Sequence, residues 1–277
     1  MGERAETTIG FLHPGAMGAQ LASTCSGDRR WVPSGRSAAT HQRAELAGLR
    51  ACSSLEELAE TCGTIVSVCP PAEAVAVADA VAVTGFDGLY LDANAIAPET
   101  ARQVGERFER FVDGGIIGPP PVQAGTTRLY LSGAEATTMG SMWDGGPLEV
   151  RIVDGGAGAA SAVKLCFAAW TKGTSALLLA IRALADVEGV TDALVAEWAT
   201  SMPDLNDRSE LTAPAVGPKA WRFVGEMEQI AAAFSAHDLP GGFHEGAAEV
   251  YRHLERFKDD DPGPSLTEVV ATLTDPT

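Results

Sequence analysis

The chain has 277 residues and a formal net charge of -17, from 20 Lys and Arg against 37 Asp and Glu. At roughly 100–200 residues per domain this length predicts about two domains, and a composition of 45% hydrophobic and 21% charged residues excludes wholesale disorder. The acid excess argues against nucleic acid and against anionic membrane surfaces, since both need clustered cations. No apolar run approaches the ~20 residues that cross a bilayer. The most apolar stretch, Ala176 to Ile181, lies between Lys172 and Arg182. Met1 to Thr8 is polar and mixed in charge, unlike a secretory leader. Cys25, Cys52, Cys62, Cys69 and Cys166 are odd in number and form no Cys-x-x-Cys pair. Free thiols in a reducing cytoplasm are therefore expected, with no structural metal site.

In chain order, Thr7 to Leu12 reads as a buried strand that runs into a glycine-bearing turn and a helix start at Ala16-Met17-Gly18. A weaker strand near Trp31-Val32 ends at Pro33-Ser34-Gly35. Ser54 and Glu57 have capping-box spacing and open a helix. Thr64 to Val68 and Leu89 to Leu91 read as strands, and Pro98 begins a helix over Glu99 to Arg110. Strand-like runs return at Phe111-Val112, Arg128 to Leu131 and Leu148 to Val153. This alternation predicts an α/β, Rossmann-type doubly wound parallel sheet covered on both faces.

The composition changes at Asp154-Gly155-Gly156-Ala157-Gly158, which sets the expected boundary: a sheet domain over residues 1–154 and an all-α C-terminal domain over 155–277. Val163, Phe167, Trp170, Thr174, Leu177, Ile181 and Leu184 recur at steps of four and three, predicting one buried face of a long helix. Further helices are expected over Asp192 to Ser201, Ala220 to Phe234 and Gly246 to Phe257. A charged segment, Lys258 to Pro264, precedes a short tail.

The first strand opens on His13-Pro14-Gly15-Ala16-Met17-Gly18, which carries two of the three glycines of the dinucleotide fingerprint, with His13 in place of the first. Small residues there let backbone N–H groups approach a pyrophosphate at a helix N-terminus. His13 itself reads either as a phosphate contact or as a turn residue. About twenty residues on, where an NAD-selective domain places a carboxylate, the sequence has Gly35-Arg36-Ser37. A guanidinium pairs bidentately with a 2′-phosphate, so NADP is the expected cofactor, the alternative being that Arg36 is a solvated surface charge.

These motifs resemble the 6-phosphogluconate dehydrogenase-like, or β-hydroxyacid dehydrogenase, superfamily, and in particular a less-characterised NADP-binding branch related to imine reductases. The resemblance spans most of the chain. Ile9 to Gly18 looks like its opening signature, Asp92 to Pro98 like its Asp-x-Ser-Thr-x-x-Pro segment, and Asp113 to Pro119 like its substrate loop. Lys164 matches its catalytic lysine. The resemblance implies that Cys69-Pro70-Pro71 and Asn94 flank the nicotinamide. Cys69 could be a reactive thiol, but nothing near it in sequence would lower its pKa, so a small buried residue is expected. The resemblance also implies a homodimer. Two positions depart: Ile117 stands where the family has a substrate-holding Ser, beside Gly118, and Ala168 where it has an Asn. An apolar group cannot hydrogen-bond a hydroxyacid, so the substrate is expected to differ from the usual one.

For chemistry, Lys164 is the expected proton donor and acceptor, its pKa lowered by burial and by the helix N-terminus; the bland alternative is an exposed lysine. Ala168, Thr171 and Ser175 follow it on one side of the helix as a small, partly polar stripe. Lys172, Trp221 and His244 are further substrate candidates, each with a structural alternative: solvent or partner contact, core packing, and a hydrogen-bonded structural imidazole. The leading expectation is a cytoplasmic NADP-dependent oxidoreductase acting on a small carbonyl or alcohol. The alternatives are imine reduction and a non-catalytic NADP-binding regulatory protein.

Overall fold

The computed structural model describes residues 5–275, so the first four residues of the Met1–Thr8 segment lie outside the described part. Eight strands form one sheet: β1 (Ala5–Phe11), β2 (Asp28–Trp31), β3 (Arg50–Ala51), β4 (Cys62–Ser67), β5 (Leu89–Asp92), β6 (Phe111–Ile117), β7 (Arg128–Ser132) and β8 (Glu149–Ile152). The helices between them are α1 (Ala16–Thr24), α2 (Ala38–Leu46), α3 (Leu55–Thr61), α4 (Ala74–Val83), α5 (Pro98–Gly105) and α6 (Ala136–Gly140). The C-terminal helices are α7 (Ala159–Val187), α8 (Thr191–Ser201), α9 (Leu205–Val216), α10 (Ala220–Ser235), α11 (Gly242–His253) and α12 (Leu266–Thr274). By its contacts the chain divides between Leu165 and Cys166, so the start of α7, Lys164 included, goes with the sheet unit.

The sheet order is β3-β2-β1-β4-β5-β6-β7-β8, with β1 to β6 paired in parallel. The order reverses direction between β1 and β4, which opens a crevice beyond their carboxyl ends. Alternate residues bury on opposite faces. Val66, Leu89 and Leu91 join Ile9 and Phe11 in one apolar cluster with α1, α2 and α6. Ile65 and Tyr90 join a second cluster with α3, α4 and α5. Both faces are therefore covered, as expected of a doubly wound sheet.

The structure differs from the expected pattern in three places, the first two for plain physical reasons. The sheet is not wholly parallel: β7 runs antiparallel to β6, because the Gly118–Thr127 connection holds no crossover helix. β6 continues to Ile117, through residues expected in a loop, since its Gly114 and Gly115 serve close packing rather than a turn. A Cβ built on Gly114 would lie 2.9 Å from Leu91 Cδ1. The helix beginning at Pro98 ends at Gly105, not Arg110.

The long helix exists, but its apolar stripe is exposed in this chain. Phe167, Trp170, Leu177, Ile181 and Leu184 all face outward, Trp170 at 66% and Leu184 at 62% exposure. The buried side carries Leu178 and Leu179 among small residues, Ala168, Ala169, Gly173, Ala176 and Ala183. Gly173 admits Phe243, whose Cε1 would stand 3.2 Å from an added Cβ. The tail after Pro264 is itself a helix, α12, opened by a capping box of Ser265 and Glu268. Among the described residues, no helix is long and apolar enough to cross a membrane.

α1 begins at the end of β1 with its axis close against the strand. A Cβ on Gly18 would overlap the His13 carbonyl oxygen, whereas one on Gly15 would meet nothing within 4 Å. Gly18→Ala is therefore expected to destabilise the fold by about 2 kcal/mol or more. Gly15→Ala should cost no more than about 1 kcal/mol. Urea unfolding of the two variants measures the contrast.

Candidate active site

The turn from β1 into α1 is built to face an anion. Gly15 caps α1 without a side-chain oxygen, and no acidic residue stands in the first turn, so the helix N-terminus keeps its positive end unneutralised. The space above Gly15 is open, and Gly18 lets the helix start close to the strand. Pro14, Ala16 and Met17 complete a turn with no polar side chain competing for those amides. Gly35 has φ +72, a left-handed conformation that favours glycine, in the loop that presents Arg36. Arg36 reaches back to the turn, where its Nη2 lies 2.8 Å from His13 Nε2. Burial, and then the Arg36 charge, push the His13 pKa down to about 4. Ser37 is committed elsewhere: its Oγ accepts from Thr40 N at 3.3 Å and caps α2.

A second cation at this turn escaped sequence reasoning. Arg43 Nε donates to the Pro14 carbonyl at 3.4 Å, and its Nη2 donates to Thr40 Oγ1 at 3.1 Å. Neither Arg36 nor Arg43 has a carboxylate partner among the described residues, unlike Arg30 and Arg50, which both pair with Asp28. Arg43 lies on α2 with no motif around it, so only the fold brings it to Pro14.

At the carboxyl ends of β4 and β5, Asn94 is the organising residue. It is 2% exposed. Its Oδ1 accepts from Cys69 N at 2.5 Å, and its Nδ2 donates to Ser67 Oγ at 3.1 Å and to Asp92 Oδ2 at 2.8 Å. The Asn94 N–H donates to Asp92 Oδ1 at 3.0 Å. Asn94 thus ties the Cys69-Pro70-Pro71 loop to the end of β5, and its own amide is fully engaged. Cys69 is half-buried rather than fully buried, and burial pushes its thiol up to about 11, which keeps it from being a reactive thiolate.

Two aspartates face each other in register on neighbouring strands, Asp92 on β5 and Asp113 on β6. Asp113 accepts from Ser132 Oγ at 3.2 Å, from Ser161 N at 2.9 Å and from Ser161 Oγ at 2.5 Å. It therefore caps the start of α7 from the sheet. Among the described residues, Asp92 accepts from Asn94 alone. Burial raises its pKa to about 7, the Asn94 hydrogen bonds opposing and Asp113 adding to the rise.

Lys164 follows on α7, where Gly115 makes room for it. A Cβ on Gly115 would lie 2.7 Å from Ala160 O and 3.1 Å from Lys164 Cβ. Burial lowers the Lys164 pKa. The helix N-terminus adds no separate cause, because its field fades beyond the first turn and Lys164 is past it. Ile117 ends β6 buried, and Gly118 turns the chain at φ +124, where a Cβ would overlap Thr126 O.

The remaining candidates belong to the C-terminal unit, described by itself. Ala168 is buried. The Thr171 and Ser175 hydroxyls donate to the helix's own carbonyls, Phe167 O and Thr171 O, at 2.9 Å each, so α7 offers no free polar stripe there. Lys172 pairs with Glu226 and stands 4.7 Å over the Phe223 ring. Trp221 lies between Arg222 and Lys258, at 5.0 and 4.2 Å. His244 is 6% exposed, packed on Phe234 and Phe243, with Nδ1 unpartnered and its pKa lowered by burial.

Asp92 carries a pH signature. A carboxyl whose folded pKa of about 7 lies above the usual 3.8 favours folding at low pH and loses that contribution as the pH rises through 7. Asp92→Asn mimics the protonated form. The stability advantage of the natural protein over this variant should shrink from pH 4.5 to pH 8 in urea unfolding. A constant difference would contradict it.

A domain-of-unknown-function family, DUF1932, matches residues 185–254. Comparison with curated protein sequences finds no significant match. Among solved structures, a conserved protein of unknown function described as similar to 3-hydroxyacid dehydrogenases superposes with TM-score 0.74 at 24% identity, covering 90% of this chain and 97% of that one. The 3-hydroxyisobutyrate dehydrogenase of Mycobacterium tuberculosis, in a structure with L-serine, gives 0.70 at 19% identity over 98% of this chain and 100% of that one. A reductive aminase from Aspergillus terreus, in complex with NADPH and ethyl levulinate, gives 0.54 at 16% identity over 97% and 100%. The expected resemblance is thus found at the level of fold: the chain is folded like the hydroxyacid dehydrogenases, with reductive aminases as more distant neighbours.

Proposed function

We propose that this chain is an NADP-dependent oxidoreductase that moves a hydride between the nicotinamide and a small carbonyl or alcohol substrate. One observation carries the reading: an uncapped helix N-terminus, open above Gly15, lies at the point where the strand order reverses, with two carboxylate-free guanidiniums drawn to the same turn. The residues fit a dinucleotide. The amides from Gly15 to Gly18 would hold the pyrophosphate, Arg36 and Arg43 a 2′-phosphate, and the loop tied by Asn94 would border the nicotinamide. The cofactor supplies the hydride. Lys164 manages the proton: a lysine with its pKa lowered by burial donates Nζ–H to a developing alkoxide and recovers it in the reverse direction. The reductive aminase complex with NADPH and the 3-hydroxyisobutyrate dehydrogenase support the reading by their likeness of fold.

Imine reduction is the second reading, favoured by buried, apolar Ile117 at the end of β6. A panel of carbonyl and imine substrates separates the two. We also infer a homodimer, because Phe167, Trp170, Leu177 and Leu184 line up exposed along one helix, uncovered among the described residues, and a second copy offers the same face. Sedimentation should give two copies of 28.7 kDa, and Trp170→Glu should give one.

NADPH should bind at least about tenfold tighter than NADH, and Arg36→Ala should remove the preference. Lys164→Ala should lower turnover about a hundredfold with NADPH affinity retained. Equal affinities would contradict the NADP assignment, and undiminished turnover would remove Lys164 from the proton transfer. Tight NADPH binding with no turnover on any substrate would favour a regulatory protein.

A further inference from the structure

We infer that His13 is a positioning residue for cofactor selection: its imidazole holds the Arg36 guanidinium at the phosphate turn and so sets the preference for a 2′-phosphate. The inference rests on the NADP reading above and adds to it a residue that acts through another.

Two observations argue that His13 is not there for the fold. First, the backbone at residue 13 needs no special side chain, since the non-glycine residues with positive φ are Asp238 and Asp259 among the described residues. The turn closes without the first glycine of the fingerprint. Second, His13 is a poor stabiliser. Its hydrogen bond to Arg36 is exposed, and its Nδ1 is buried with no partner. An exposed hydrogen bond contributes little, and an orphaned buried nitrogen opposes folding.

The hydrogen bond does fix where a positive charge stands. Arg36 only donates, so Nε2 must be the accepting nitrogen and the proton of the neutral ring lies on Nδ1. Burial and the neighbouring guanidinium keep the ring neutral above about pH 4, so the acceptor is present throughout the ordinary pH range. A free arginine loses much rotamer freedom when it clamps a phosphate. One already tethered at the turn loses less, and the saving applies only to a ligand that carries the phosphate. NADH, which lacks it, gains nothing. Discrimination therefore depends on His13 as well as on Arg36.

The test uses fluorescence titration with NADPH and NADH on the full-length protein. His13→Phe keeps a planar aromatic ring, somewhat larger than imidazole, and removes the acceptor. It should weaken NADPH binding about tenfold and leave NADH binding unchanged. His13→Gln supplies a side-chain oxygen as acceptor and should restore most of the preference, which also covers the case in which the Phe variant folds poorly. In the Arg36→Ala background His13→Phe should have no further effect on NADPH. Equal weakening of both cofactors, full additivity with Arg36→Ala, or no effect of His13→Phe would overturn the inference while leaving the NADP reading intact. A natural protein that binds NADPH and NADH alike would instead overturn the NADP reading, and this inference with it.

Discussion

The close start of α1 against the end of β1 is the constraint on which the candidate site depends. Gly18 has to be glycine because the His13 carbonyl occupies the space of a Cβ, and that contact fixes the height and direction at which α1 begins. With Gly15 as a cap that provides no oxygen, the first amides of the helix point outward and their partial positive charge is left for a ligand. A chain with 17 excess negative charges cannot attract a polyanion by its overall field, so attraction must be local. The fold supplies it by bringing Arg36 and Arg43, from the segment after β2, to the same turn.

A second constraint runs through the two aspartates in register on β5 and β6. Each is buried, and each is handled differently. Asp113 is satisfied by Ser132 and by Ser161 in the first turn of α7, so its carboxylate ties that turn to the sheet and, with Gly115, sets where Lys164 stands. Asp92 has, among the described residues, only Asn94 to donate to it, and burial pushes its pKa up to about 7. Its strongest structural effect is indirect: Asn94, held by Asp92 and Ser67, grips the Cys69 amide and shapes the loop after β4.

Much of this was legible in the sequence because it is local. A strand running into Pro14-Gly15 and Gly18, the cap at Ser54, and the Pro98 helix start all follow from residues within a few positions of one another. The cap at Ser54 shows how far such reasoning reaches: Ser54 Oγ does accept from Glu57 N, but the Glu57 carboxylate takes its bonds from Ser53. Tertiary packing decided what was missed. Over Ala74–Val83 the Ala-Val alternation has the period of a strand, and burial of Ala74, Ala78 and Val81 on one side makes it a helix. Gly114 and Gly115 suggest a loop and instead permit β6 to approach its neighbours. The apolar stripe of α7 has the spacing of a core face, yet the buried side is a different one, carrying Leu178 and Leu179 among alanines and Gly173. Arg43 had no local signal.

The central claim is that the β1–α1 turn and the segment after β2 together hold a nicotinamide dinucleotide phosphate. Amide hydrogen exchange with and without NADPH tests it most directly. The account predicts slowed exchange at Ala16, Met17 and Gly18 and across Arg36 to Arg43, with no comparable change in α8 to α12. Binding of NADPH that left these amides unprotected, or protected a different part of the chain in their place, would contradict it.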